Sequence, residues 1–156
     1  MASQETGRIA DQLRRAYAGE AWHGPSLREN LEGVSASAAA SRPIEGAHSI
    51  WELVLHLTAW IRLTKEVMDG ARYVSLAGDA DWPPVGATDE AAWLSTLENL
   101  ERAEKALEDA VKQFPEDRLS EQIPGREFKF YVLLHGVVQH NLYHAGQIAL
   151  LRKIHA

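Results

Sequence analysis

No cysteine occurs in the 156 residues, which excludes a disulfide framework, a thiolate metal site and a cysteine nucleophile. Positive charge is in short supply, with 16 lysines and arginines against 22 acids and a net charge of -6. That balance argues against a nucleic-acid-binding surface. The N-terminus, Met1 to Arg8, lacks the apolar core of a secretory signal. Long charge-free stretches are also scarce. The one of membrane length, Phe130 to Leu151, carries His135, Gln139, His140, Asn141, His144 and Gln147. Polar groups in that number are costly in lipid, so the stretch reads as a core helix, and a cytoplasmic protein with no membrane partner is expected. The length suits one domain over residues 1–156.

Apolar periodicity supplies four long helices and no strand signal. The first runs from about Glu5 to Ala18 with Ile9, Leu13, Ala16 and Tyr17 on one face, and Gly19 as a stop. After the turn-like Trp22-His23-Gly24-Pro25-Ser26, a short helix opened by Pro25 and running through Leu27 and Leu31 to near Gly33 is expected, as is a helical turn within Ser35 to Ser41. Ser49-Ile50-Trp51-Glu52 is a capping-box sequence opening the second long helix, which Gly70 ends. Ala71 to Ala87 lacks periodicity and contains Trp82-Pro83-Pro84; a connection of this length often covers a binding site. The third helix runs from about Thr88 to Phe114, and Pro115 stops it. Its outer face carries the pairs Glu98/Arg102, Glu101/Lys105 and Glu108/Lys112. The fourth begins near Arg126 or Glu127. The expected fold is therefore all-α, a four-helix bundle with long connections, and the first and second connections are long enough to cross it.

Histidines fall on the faces such a bundle buries. Leu133, Val137, His140, His144, Ile148 and Leu151 recur at three and four residues, as do Leu53, His56, Leu57, Trp60 and Leu63. Imidazoles at i and i+4 have Cβ atoms about 6 Å apart, which lets both reach one metal ion. Two readings stay open on spacing alone. Each imidazole has its own hydrogen-bond partner in the core, or His56, His140 and His144 share a metal that satisfies all three. The pair does not have the zincin form, because Asn141 stands where that motif has its glutamate.

Three stretches together carry a family resemblance: Trp22-His23-Gly24-Pro25, His48-Ser49-Ile50-Trp51-Glu52-Leu53-Val54-Leu55-His56, and His135-Gly136-Val137-Val138-Gln139-His140-Asn141-Leu142-Tyr143-His144-Ala145-Gly146-Gln147-Ile148. The chain resembles the DinB-like (DinB/YfiT) metalloenzymes over nearly its whole length. The resemblance implies a four-helix bundle, commonly a homodimer, with a divalent metal on His56, His140 and His144. Zinc or nickel suits such ligands, as do iron and manganese. It also implies an enzyme acting on a small molecule, with thiol S-transfer from a low-molecular-weight thiol as the reaction expected first. The alternatives are a hydrolase using metal-activated water, and a structural or ligand-binding bundle without catalysis.

Further candidates surround these three. His23 could reach the pocket mouth from its turn, or stand at the surface beside Trp22. Glu52 could orient the metal site, although its capping box already accounts for it. Gln147 could hydrogen-bond a ligand imidazole, the usual support for a metal-bound histidine. Glu104 interrupts the apolar stripe of the third helix. It could be a fourth ligand or a base, or a slight rotation could place it in water with Ala103 inside. His48 reads as part of the turn into the second long helix, and His155 as solvated. His135 lies about 140° around the helix from His140 and is expected to bond a neighbouring helix or backbone. Trp51, Trp60, Trp82 and Trp93 read as core or pocket wall, and Tyr143 as a hydroxyl donor or a packing residue.

Overall fold

The computed structural model describes residues 4–154; His155 lies outside them. In chain order the helices are α1 (Glu5–Ala18), α2 (Leu27–Leu31), α3 (Ala36–Ala40), α4 (Ile50–Met68), α5 (Glu90–Gln113) and α6 (Phe130–Arg152), with single 3₁₀ turns at Gly78–Ala80 and Glu116–Ser120. No strand occurs among the described residues, and no helix there is long and apolar enough to cross a membrane.

Short polar side chains start these helices by accepting from backbone N–H groups that have no partner within the helix. Ser49 Oγ accepts from Glu52 N, and Glu52 Oε2 accepts from Ser49 N, closing the expected capping box of α4. Ser26 and Glu29 make the same reciprocal pair at α2, and the Asp89 carboxylate caps α5. Inside, Ile9, Leu13, Leu57, Ile61, Leu100, Leu107, Leu134 and Ile148 are essentially inaccessible. Each contributes roughly 2 kcal/mol of apolar transfer energy.

The four long helices close a ring in which α4 packs on α5 and α6, and α1 packs on the same two. Chain neighbours α1 and α4 therefore stand diagonally, as do α5 and α6. The diagonal connections are the first and the third. The second, residues 69–89, joins adjacent helices, although its length had made it a candidate crossover. It runs over the bundle instead, and that is where the site lies.

The fourth long helix starts at Phe130, later than the expected Arg126 or Glu127. Residues 121–129 form a narrow turn instead, with Ile123 N donating to Phe128 O and Phe130 N to Glu121 O. Gly125 at φ 93° makes that turn possible. A Cβ at Gly125 would lie 2.9 Å from the Tyr73 carbonyl oxygen, and Tyr73 N donates to Pro124 O at 2.7 Å. Only glycine allows the close approach, and this clamp brings Tyr73 and Phe128 together edge to face, 5.6 Å between ring centroids.

Candidate metal centre

His56 on α4 and His140 and His144 on α6 converge where these two helices pack. His140 Nε2 lies 3.0 Å from His56 Nε2 and 3.0 Å from His144 Nε2. One ring nitrogen from each residue falls within a 4.8 Å cluster that could hold a metal ion. His56 and His144 are buried and His140 is partly buried.

Their other nitrogens determine what the cluster can do. His56 Nδ1 lies 2.7 Å from the Asp81 carbonyl oxygen and 3.1 Å from Asp81 Oδ1. Both are acceptors, so Nδ1 carries the proton and Nε2 of the neutral ring is a bare lone pair. His144 Nδ1 lies 2.6 Å from Gln147 Oε1, which assigns the same tautomer to His144. A proton on His140 Nε2 can serve one of these lone pairs and leaves the other unmatched. His140 Nδ1 is itself buried without a hydrogen-bond partner. Protonation is disfavoured as a remedy, because burial, reinforced by His144 and His56, pushes His140 down to about 3. Burial also lowers His144. A cation facing three Nε2 lone pairs resolves the conflict, so the donor set fits a divalent metal.

Asp81 is the functional residue that sequence reasoning missed. It follows the 3₁₀ turn Gly78–Ala80, whose Gly78 carbonyl accepts from Asp81 N and Trp82 N. Gly78 has φ 54°, in the left-handed region glycine favours. Asp81 Oδ1 also accepts from Trp60 Nε1 at 2.7 Å, which fixes the carboxylate beneath His56. Trp82 is held between two imidazoles, stacked on His48 at 3.4 Å and on His56 at 4.0 Å between centroids. The only sequence signal was the unperiodic connection and its Trp-Pro-Pro. His48 is thus more than part of a turn, since it backs the indole that covers His56.

Other candidates lie elsewhere. His23 is exposed and faces a surface depression with Gln12, Arg15 and Leu142, outside the cluster. Glu52 is committed to its cap and to an ion pair with Arg42, and does not join the cluster. Glu104 is 3% exposed, and Ala103 is buried beside it, so the rotation that would have placed Glu104 in water does not occur. Its Oε1 accepts from Asn141 Nδ2 at 2.6 Å across the diagonal of the bundle, away from the three histidines. His135 Nε2 lies 3.3 Å from Glu5 Oε1 on α1. Trp51 and Trp93 are core, whereas Trp60 and Trp82 are pocket wall. Tyr143 is exposed.

Two hollows reach the cluster. One, about 390 Å³, is lined by His56, His140, Asp81, Trp60, Tyr73 and Phe128 among others. The other, about 450 Å³, is lined by His144, Gln147, His48, Trp82 and Tyr143 among others. Fold and site together define a class: helical bundles with a tri-histidine cluster that could hold a divalent metal, facing small-molecule cavities. The model of the DinB superfamily matches residues 12–148, and the chain belongs to that superfamily. No curated protein and no solved structure matches it.

Proposed function

We propose that His56, His140 and His144 bind one divalent cation through their Nε2 atoms. On this reading the protein is a metal-dependent enzyme that transfers the sulfur of a low-molecular-weight thiol to a small electrophile. The carrying observation is the tautomer constraint: Asp81 and Gln147 hold the Nδ1 protons of His56 and His144, turning both Nε2 lone pairs toward His140. Zinc or nickel suits three imidazoles, as do iron and manganese. Three protein ligands leave coordination positions open, and a cation held there supplies Lewis acidity that lowers the pKa of a thiol or water reaching it. Asp81 and Gln147 keep the imidazoles oriented, and the two hollows admit small molecules to the cluster from different sides. In the transfer, the new sulfur–carbon bond replaces the electrophile's bond to its leaving group. The leaving group departs with that electron pair, and the thiol proton goes to solvent.

Hydrolysis is the second reading. Its usual base is a free carboxylate beside the metal, and the acids nearest this cluster already have partners. Asp81 accepts from His56 and Trp60, and Glu52 from Ser49. A purely structural metal is usually closed by four protein ligands, and Glu104, the fourth candidate, is bonded elsewhere. The test is metal content by mass spectrometry on untagged protein, wild type beside His56→Ala. About one ion per chain, lost in the variant, supports the site. Conjugation of thiols to electrophilic test compounds, against acid release from an ester panel, then separates transfer from hydrolysis. Wild type that takes up no metal on reconstitution refutes the proposal.

A further inference from the structure

The hollow beside His56 and His140 has a wall whose chemistry selects its occupant. Trp60, Tyr73, Phe128, Val132, Leu133 and Val137 make most of it. Beside the imidazoles of His56 and His140, Asp81 carries the one carboxylate among the described residues of that wall, and it is engaged by His56 Nδ1 and Trp60 Nε1. The Thr64 hydroxyl donates to the Trp60 carbonyl at 2.8 Å. No lysine or arginine lines the hollow, so in the metal-free protein nothing there meets an anionic ligand, and burying an unpaired charge is costly.

Gly136 also lines this hollow, in the seventh position of α6 and one turn before His140. Glycine inside a helix is unfavourable, and no tight contact requires it here, since a Cβ at Gly136 would meet nothing within 4 Å. The missing side chain instead leaves space open beside His140.

We infer that Gly136 is a specificity-determining residue, and that the hollow it opens binds an uncharged, ring-bearing apolar molecule, the electrophilic substrate class of this site. The role as substrate rests on the function proposed above; the binding preference does not. The aromatic wall supplies offset and edge-on contacts for a ring, and a ligand seated there touches His56 and His140. A side chain at position 136 would occupy the ligand's volume without disturbing the helix.

The test is fluorescence titration of full-length protein with the neutral probe N-phenyl-naphthylamine and its sulfonated relative anilinonaphthalene sulfonate. Wild type, Gly136→Ala, Gly136→Leu and His144→Ala are compared, with metal content and circular dichroism recorded for each. Saturable binding of the neutral probe is expected in wild type, and in wild type stripped of metal by a chelator the sulfonate is expected to bind more weakly by about tenfold or more. Affinity is expected to fall about threefold in Gly136→Ala and about tenfold or more in Gly136→Leu, with metal content unchanged. Gly136→Leu that is native by circular dichroism and binds the probe as wild type does would overturn the inference. Equal binding of the sulfonate by the metal-free protein would overturn it too. Should Gly136→Leu fail to fold, unchanged affinity in Gly136→Ala would do the same. His144→Ala removes a proposed metal ligand that does not line this hollow, and so separates the two proposals. Probe binding kept while metal is lost supports both; wild type that binds the probe in this pattern but no metal leaves the pocket standing and removes the metal reading.

Discussion

Replacing Glu104 by glutamine should stabilise this protein, and increasingly so as pH rises. Glu104 is buried between α5 and α6, with one oxygen accepting from Asn141 Nδ2, while its Oε2 and the Asn141 Oδ1 have no partner. Burial, with a smaller contribution from Glu108, pushes its carboxyl up from 4.5 to about 8, against the Asn141 hydrogen bond. Between those values the unfolded chain has released the proton and the folded chain still holds it, so stability falls as pH rises through that window. At about 1.4 kcal/mol per pH unit, the loss by pH 7 approaches ~3 kcal/mol. Glutamine has nearly the same shape, never ionises, and can donate from Nε2 to Asn141 Oδ1 while its oxygen accepts from Nδ2. Both unpaired atoms are then resolved. The variant should exceed wild type by about 2–3 kcal/mol at pH 7, about 4–12 °C in Tm for a domain of this size, and the difference should shrink toward pH 5. Thermal unfolding followed by circular dichroism from pH 5 to 9 measures it. A glutamine variant less stable than wild type throughout, or a stability difference independent of pH, would refute the reasoning.

Other consequences follow from the same geometry. Asp81→Asn should weaken metal affinity by about tenfold or more, because His56 loses the carboxylate that orients it; chelator competition reads this, and unchanged affinity would remove Asp81 from the site. Metal-free protein should lose stability as pH falls below the ordinary 6.5 of histidine, since His140 and His144 take up protons more readily unfolded than folded. Denaturant titrations at pH 5 and 7 would show it, and equal midpoints would contradict the buried cluster. Leu134→Ala, at a fully buried position of α6, should cost about 2–5 kcal/mol through the cavity it leaves, measured by urea unfolding.

By itself the sequence determined which faces turn inward. Helix periodicity is a local property, so the stripes holding His56, His140 and His144 were legible from spacing, as was the α4 cap made by Ser49 and Glu52. The recurrence of these motifs marked the family as well. The ring order of the helices was not legible, because nothing local distinguishes an adjacent connection from a diagonal one. The diagonal placement of α5 and α6 decided that Glu104 meets Asn141 in the interior, where spacing alone left it a ligand, a base or a solvated residue. The start of α6 depended on the Gly125 clamp, a contact with Tyr73 more than fifty positions earlier in the chain. Asp81 and Trp82 lie on a connection without period, and only the folded chain brings them against His56. Local hydrogen bonding and side-chain alternation choose helices and faces, whereas the partners of a buried polar group come from distant segments, and tertiary packing selects them.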